Sequence, residues 1–225
     1  MSLLELYQAL YKHYGAQGWW PLSSRGGYHP NIYYHSLTQE EIFEVALGSI
    51  LTQNTTFSSV EKSLDNLQSI GAMSSQAILK LDIQELKEAI RPSGYYNQKA
   101  EYILSFTAFF EGLRARTPLR EELLGCKGIG EETADSILLF GYGCAEFKVD
   151  AYTKRILLHL GYIDAKAKYA EVKQLLESTL EKECPDELKR VELYQEFHAL
   201  FVAHAKRFYS KKPYGDGCFL DRLLR

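Results

Sequence analysis

Two glycines one residue apart, Gly128 and Gly130, interrupt a chain otherwise patterned for helix, and they constrain what lies on either side more than any other feature. Glycine reaches positive φ without steric cost, so two helices can meet there through a very tight turn that leaves backbone N–H groups pointing outward. The surrounding stretch is Leu123-Leu124-Gly125-Cys126-Lys127-Gly128-Ile129-Gly130-Glu131-Glu132-Thr133-Ala134-Asp135. From Glu131 to Phe140, the residues Ala134, Ile137, Leu138 and Gly141 recur at helical spacing, so the hairpin is predicted to open onto a helix N-terminus. Free N–H groups at such an end bind anions, phosphate among them. A contact of this kind positions a nucleic-acid backbone and reads no base edge. Taken alone, the pair of glycines is equally a plain helix connection, because glycine is a common helix stop.

The remainder also reads as helix. Thr38-Gln39-Glu40-Glu41 is a capping box ahead of Ile42, Val45, Ala46, Ser49 and Ile50, and Thr117-Pro118 is predicted to start another helix with Pro at its first position. Apolar stripes recur over Ile103, Phe106, Phe110 and Leu113, over Val172, Leu175, Leu176 and Leu180, and over Leu193, Phe197, Leu200 and Phe201. Asp150 precedes a helix from Ala151 to Leu160 whose inward side is Ile156, Leu157 and Leu160, a position suited to an N-cap. Between Gly18 and Ser36 lies a loop rich in Gly, Ser, Pro and Tyr, long enough to suggest a functional role. No alternating strand of useful length is present, so the class is all-α.

At 225 residues, with 46% hydrophobic and 24% charged, the chain can bury one substantial core or two small ones. A net charge of −3 does not advertise nucleic-acid binding, so a DNA partner requires a local positive field. Lys206, Arg207, Lys211 and Lys212, with Lys99 and Lys127, are the available patch, and a solvated basic surface is the alternative. Four cysteines at no regular spacing and a start without a secretory leader predict reduced thiols and a bacterial cytoplasmic setting. No apolar run approaches the length of a membrane span.

Extended to Leu124-x-x-x-Gly128-Ile129-Gly130-x-x-Thr133-Ala134-Asp135 and then Val149-Asp150-Ala151-Tyr152, the pattern resembles the helix-hairpin-helix (HhH-GPD) DNA glycosylases, the superfamily that includes endonuclease III. Ile50-Leu51-Thr52-Gln53-Asn54-Thr55 is similar to that family's helix end bearing a DNA-wedging residue. Ser93-Gly94-Tyr95-Tyr96-Asn97-Gln98-Lys99-Ala100 is similar to its glycine-tyrosine-asparagine-lysine-alanine segment. The resemblance implies an all-α, two-lobed fold with an interlobe active-site cleft. One lobe would span 36–150, with the hairpin at about 123–140, and the other 1–35 plus 151–225. It further implies a monomer acting on double-stranded DNA, with Asp150 as the reacting carboxylate and DNA contacts from Gln53, Lys127, Gly128, Gly130, Thr133, Asn97 and Lys99.

Two departures refine that expectation. Glu132 falls where family members with added strand-cleaving activity carry a lysine nucleophile, and a carboxylate cannot form a Schiff base, so no lyase activity is expected. The tail His204 to Cys218 keeps the outline of the family's iron–sulfur loop but only one cysteine. Phe208 and Gly215 stand where two ligands would be, so neither cluster nor other metal is expected.

Among cluster-free members, the resemblance runs to the bacterial 3-methyladenine glycosylases of the endonuclease III type, through Trp19-Trp20-Pro21, Leu51 to Phe57 and Arg91 to Ala100. It implies a base pocket from Trp19, Trp20, Pro21 and Phe57, with Lys206 added from the tail. A purine methylated at N3 is cationic, attracts aromatic faces by roughly 0.5 to 2 kcal/mol and leaves with little general-acid help, so one carboxylate suffices. Each assignment has a plainer counterpart. The tryptophans could be packing, Asp150 only a cap, Phe57 a hydrophobic staple and Gln53 an ordinary helix-end amide, and His198 and His204 read as structural. The functional alternatives are a glycosylase for another damaged or mismatched base, and a non-catalytic DNA-binding module.

Overall fold

The computed structural model describes residues 1–222. Its helices are α1 (Leu3–Tyr14), α2 (Gln39–Leu51), α3 (Phe57–Ser69), α4 (Ser75–Lys80), α5 (Ile83–Ala89), α6 (Tyr96–Gly112), α7 (Arg120–Leu124), α8 (Glu131–Ser136), α9 (Ala151–His159), α10 (Tyr169–Glu183) and α11 (Glu187–Phe208). Among the described residues there is no strand, only an isolated bridge between Leu22 and Gly27.

Local chemistry sets most of the helix starts. Ser2 with Glu5, and Thr38 with Glu41, form reciprocal capping boxes on α1 and α2. The helix predicted from Thr117-Pro118 begins later, at Arg120. Glu122 accepts the Leu119 N–H at 2.8 Å while Arg116 grips the same carboxylate at 2.6 and 2.7 Å, and this fixes the first turn beyond the proline. The helix predicted to run to Phe140 is α-helical only to Ser136 and then widens into a π turn over Ile137–Gly141. That turn buries Ile137, Leu138, Leu139 and Phe140, which a single amphipathic stripe could not do.

The chain divides into two compact units, Ser36–Tyr142 and Met1–His35 together with the chain from Gly143 onward. In the first, α2 is buried almost throughout, from Glu41 to Leu51, as befits the central helix of a bundle. The Phe43 ring packs against Phe110 and Phe106 at centroid distances of 5.2 and 6.3 Å. The hairpin joins α7 to α8. Arg120 holds the wholly buried Asp135 through Nε–Oδ1 at 2.6 Å and Nη2–Oδ2 at 3.1 Å, a bidentate pair that locks the two helices together. Ile129 is buried between the two glycines, which are not equivalent. Gly128 has φ +82°, and a Cβ there would run into the Tyr102 ring; Gly130 has φ −94°, and a Cβ there would meet nothing within 4 Å.

In the second unit, Tyr194, Phe197 and Phe201 of α11 form the core with Phe147, whose ring meets Tyr194 at 5.0 Å and Phe197 at 6.0 Å. The tail after α11 is braced by side chains. The His204 ring lies 2.8 Å from the Tyr14 hydroxyl through Nδ1 and 3.1 Å from Cys218 Sγ through Nε2. Gly215 donates to the Phe208 carbonyl at 2.8 Å and closes over His159, where a Cβ would come within 2.5 Å of the ring. Arg155 stacks on Tyr214 at 4.7 Å and donates to the Tyr209 carbonyl. His204 and His198 are both buried, and burial pushes each down to about 4.

Two outcomes follow. Gly128→Ala is expected to destabilise by roughly 2 kcal/mol or more, and Gly130→Ala by less than about 1 kcal/mol, in urea unfolding. A histidine held neutral in the fold but protonated when unfolded contributes stability that is present above the unfolded pKa and lost as pH falls toward the folded one. The unfolding free energy from urea melts should therefore drop between about pH 6.5 and about pH 4, by on the order of a few kcal/mol in all, and His204→Gln should flatten that dependence.

Candidate active site

Asp150 has an extended backbone and caps α9. Its Oδ1 accepts from Thr153 N at 2.7 Å and from Thr153 Oγ1 at 2.9 Å, so one oxygen is committed to the helix. Among the described residues Oδ2 has no hydrogen-bond donor. Burial pushes the carboxyl up, but the neighbouring His198, in its protonated form, the Lys148 ammonium and the two bonds from Thr153 outweigh it, and the group stays below its ordinary 3.8. Lys148 and His198, which no sequence motif marked, are therefore part of the electrostatic surroundings of Asp150. The one available hint is a lysine set between Phe147 and Val149 immediately before it.

The loop after α1 is built as tightly as a helix. Gly18 has φ +68°, and a Cβ there would overlap the backbone of His29 and Pro30. The buried Glu196 of α11 accepts from Gln17 N at 2.7 Å and from the Tyr33 hydroxyl at 2.9 Å, and the His29 ring faces the carbonyls of Trp20 and Ile32 at 2.8 and 2.6 Å. Trp20 is only 4% exposed and belongs to the loop's core, so of the pair it is Trp19 that keeps open surface, with Pro21 half-buried after it. Trp19 packs edge-on to Trp20 at 5.7 Å and to Tyr28 at 6.0 Å. Tyr28 is 46% exposed and was not singled out in the sequence. Lys206 is exposed on the last turn of α11.

In the unit Ser36–Tyr142, three predicted residues come together at the hairpin. The Gln53 amide donates to the Gly128 carbonyl at 2.9 Å and to Thr133 Oγ1 at 3.1 Å, tying the end of α2 to the turn. The exposed residue at that loop's tip is Asn54, with φ +53°. The N–H groups of Gly128 and Gly130 have no backbone partner among the described residues. Lys127 is exposed and pairs with the equally exposed Glu101 at 2.7 Å. Asn97 is exposed in the first turn of α6, Phe57 is half-buried at the first position of α3, and Glu132 is exposed in the first turn of α8.

Lys99 requires a correction. It is 2% exposed, and its Nζ donates to the carbonyls of Leu51 at 2.7 Å and Ser93 at 2.8 Å. Those acceptors close the end of α2 and the turn before α6, so Lys99 is a structural clamp and not a DNA contact. Burial lowers its pKa to about 8. Its place on the Ile103 and Phe106 stripe was the available signal. Tyr95, in the same segment, has φ +49° and is 64% exposed.

A four-thiolate cluster does not fit the tail. Cys218 is its single cysteine, its sulfur is engaged by His204 and Tyr209, and the two positions where ligands would stand, Phe208 and Gly215, are joined by a backbone hydrogen bond. No group of three or more His, Cys, Asp or Glu side chains among the described residues is placed to hold a metal ion. No helix among them is long and apolar enough to cross a membrane.

Residues 47–182 match the model of the HhH-GPD superfamily base excision DNA repair proteins. The chain is 39% identical to "Putative DNA repair glycosylase MJ1434" of Methanocaldococcus jannaschii, over 96% of this chain and 92% of that protein. It is 30% identical to endonuclease III of Sulfolobus acidocaldarius, over 80% and 79%. The solved structure of the H. pylori 3-methyladenine DNA glycosylase MagIII bound to 1,N6-ethenoadenine superposes with a TM-score of 0.73 at 28% identity, covering 92% of this chain and 98% of that one. This chain belongs to the HhH-GPD superfamily of base excision DNA repair proteins, the endonuclease III superfamily.

Proposed function

We propose that the protein is a monofunctional DNA glycosylase that acts as a monomer on duplex DNA, flips out alkylated, cationic purines such as 3-methyladenine and hydrolyses their N-glycosidic bond. The observation that carries this reading is the split Asp150 carboxylate, with one oxygen anchored to Thr153 and the other left for a substrate. The likeness to a solved 3-methyladenine glycosylase supports the substrate class.

In the reaction so proposed, the bond from C1′ to the purine nitrogen breaks and its electron pair goes to the ring, neutralising the cation. Asp150 Oδ2 faces the positive charge left on the sugar and orients the water that adds to C1′, whose proton passes to the carboxylate or to solvent. A leaving group that departs neutral requires no second acid. Trp19, with Tyr28 beside it, offers aromatic faces that favour a cationic base. Phe57 and Lys206 remain base-pocket residues by resemblance.

The N–H groups at Gly128 and Gly130, with Lys127 and Asn97, would grip backbone phosphates, which asks for no basic surface overall. Flipping the base with Gln53 in the gap would require its two bonds to the hairpin to break first. Tyr95, an exposed aromatic, is suited to stacking on an unpaired base. With Glu132 at the start of α8, the hairpin offers no amine there for a Schiff base, so strand cleavage is not expected.

Release of 3-methyladenine from methylated duplex DNA tests this directly. Wild type should release it, Asp150→Asn should lose about 100-fold or more, and strand breaks should appear only after alkali. No release despite tight DNA binding would instead favour another lesion. Because the ionised carboxylate is needed and its pKa is depressed, the single-turnover rate should stay flat as pH falls from about 8 to about 5, for Asp150 loses its charge only below its ordinary range. Trp19→Ala should lower kcat/KM for the cationic base by about 3- to 30-fold and affect a neutral substrate less.

A further inference from the structure

Residues 143–150 belong to no helix and no strand, with a tight turn from Cys144 to Glu146, yet Phe147, Lys148 and Val149 are buried. Such a segment inside a helical unit must find partners for backbone groups that a sheet would ordinarily satisfy. The N–H groups of Phe147 and Val149, two residues apart, both turn toward α10. Both are met by side chains of α10. Glu177 Oε1 accepts from Phe147 N at 2.7 Å, and the Tyr169 hydroxyl accepts from Val149 N at 3.3 Å. Between them Lys173 pairs with Glu177 Oε1 at 2.8 Å and with the carboxylate of Glu146.

Tyr169, Lys173 and Glu177 are spaced four residues apart, which places them in one stripe along the helix. As the chain advances from Phe147 to Val149, its partners step back from Glu177 to Tyr169, so the segment runs antiparallel to α10. The Lys148 backbone is bonded by His198 of α11. The residue that follows Val149 is Asp150.

We propose that the Tyr169–Lys173–Glu177 stripe is the positioning device for Asp150, standing in for the missing sheet edge and fixing where Oδ2 is presented. This rests on the reading of Asp150 as the reacting carboxylate. The three side chains are positioning residues, since they act through the backbone that carries Asp150.

The test measures hydrogen exchange at the Phe147 and Val149 amides in the full chain, together with single-turnover release of 3-methyladenine and affinity for duplex DNA. Wild type is compared with Tyr169→Phe, Glu177→Leu, Glu177→Gln and Asp150→Asn. Both amides should be protected in wild type. Tyr169→Phe should unprotect Val149 and Glu177→Leu should unprotect Phe147, each with a release rate lowered about 10- to 100-fold and DNA affinity unchanged. Glu177→Gln, whose amide oxygen can still accept from Phe147 N, should recover most of the rate.

Equal exchange in wild type and the α10 variants, or a full rate where protection has been lost, overturns the proposal. Should Glu177→Leu fail to fold, Tyr169→Phe decides, because it removes a single oxygen. Asp150→Asn separates the two claims. If it releases base at the wild-type rate, the carboxylate's role falls and the positioning role falls with it. If it is inactive while Tyr169→Phe and Glu177→Leu are fully active, the stripe alone is rejected.

Discussion

The cap on α9 holds the Asp150 carboxylate in one orientation, since both donors of Thr153 converge on Oδ1. A carboxylate that capped its helix with both oxygens would have nothing to present, and one without a cap would lose its orientation to side-chain rotation. Helix N–H groups also favour the ionised form, which opposes the cost of burial. The carboxylate proposed to react and the helix start are thus one structural element, and the two readings of Asp150, cap and catalyst, are compatible.

Much of the surrounding structure satisfies backbone groups that regular structure leaves open. Lys99 closes the carbonyls of Leu51 and Ser93, Glu196 takes an N–H of the loop after α1, and Glu177 and Tyr169 take those of the segment before Asp150. In each case the partner is a charged or hydroxyl-bearing side chain on a helix. A helical fold has no sheet edge to offer an irregular segment, so long polar side chains take that role. The tail shows the same economy. His204, Tyr14, Cys218 and the contact of Gly215 with His159 hold a loop whose donor set does not suit a metal cluster.

The class of the fold and most of its helices were legible in apolar periodicity, as were the capping boxes of Ser2 and Thr38 and the cap at Asp150. The hairpin was legible from Gly128, whose positive φ and close approach to Tyr102 admit no other residue. The start of α7 was not, because Pro at a first helical position is a tendency that the Arg116–Glu122 pair overrode. Lys99 was misplaced because lysine is ordinarily exposed, and only its phase on the apolar stripe spoke for burial. Trp19 and Trp20 look alike in sequence, yet one is half-exposed and the other buried.

What the sequence by itself determined is whatever depends on neighbours within a turn or two: helix phase, caps, the glycine turn, and the carboxylate at position 150. Tertiary structure alone decided which polar groups are buried and whom they meet. Gln53 finds Gly128, Lys99 finds Leu51, and Phe147 and Val149 find Glu177 and Tyr169. These partners lie tens of residues apart along the chain, and no local pattern encodes them. A backbone N–H accepts any well-placed oxygen, and only the packing of the helices determines which oxygen arrives.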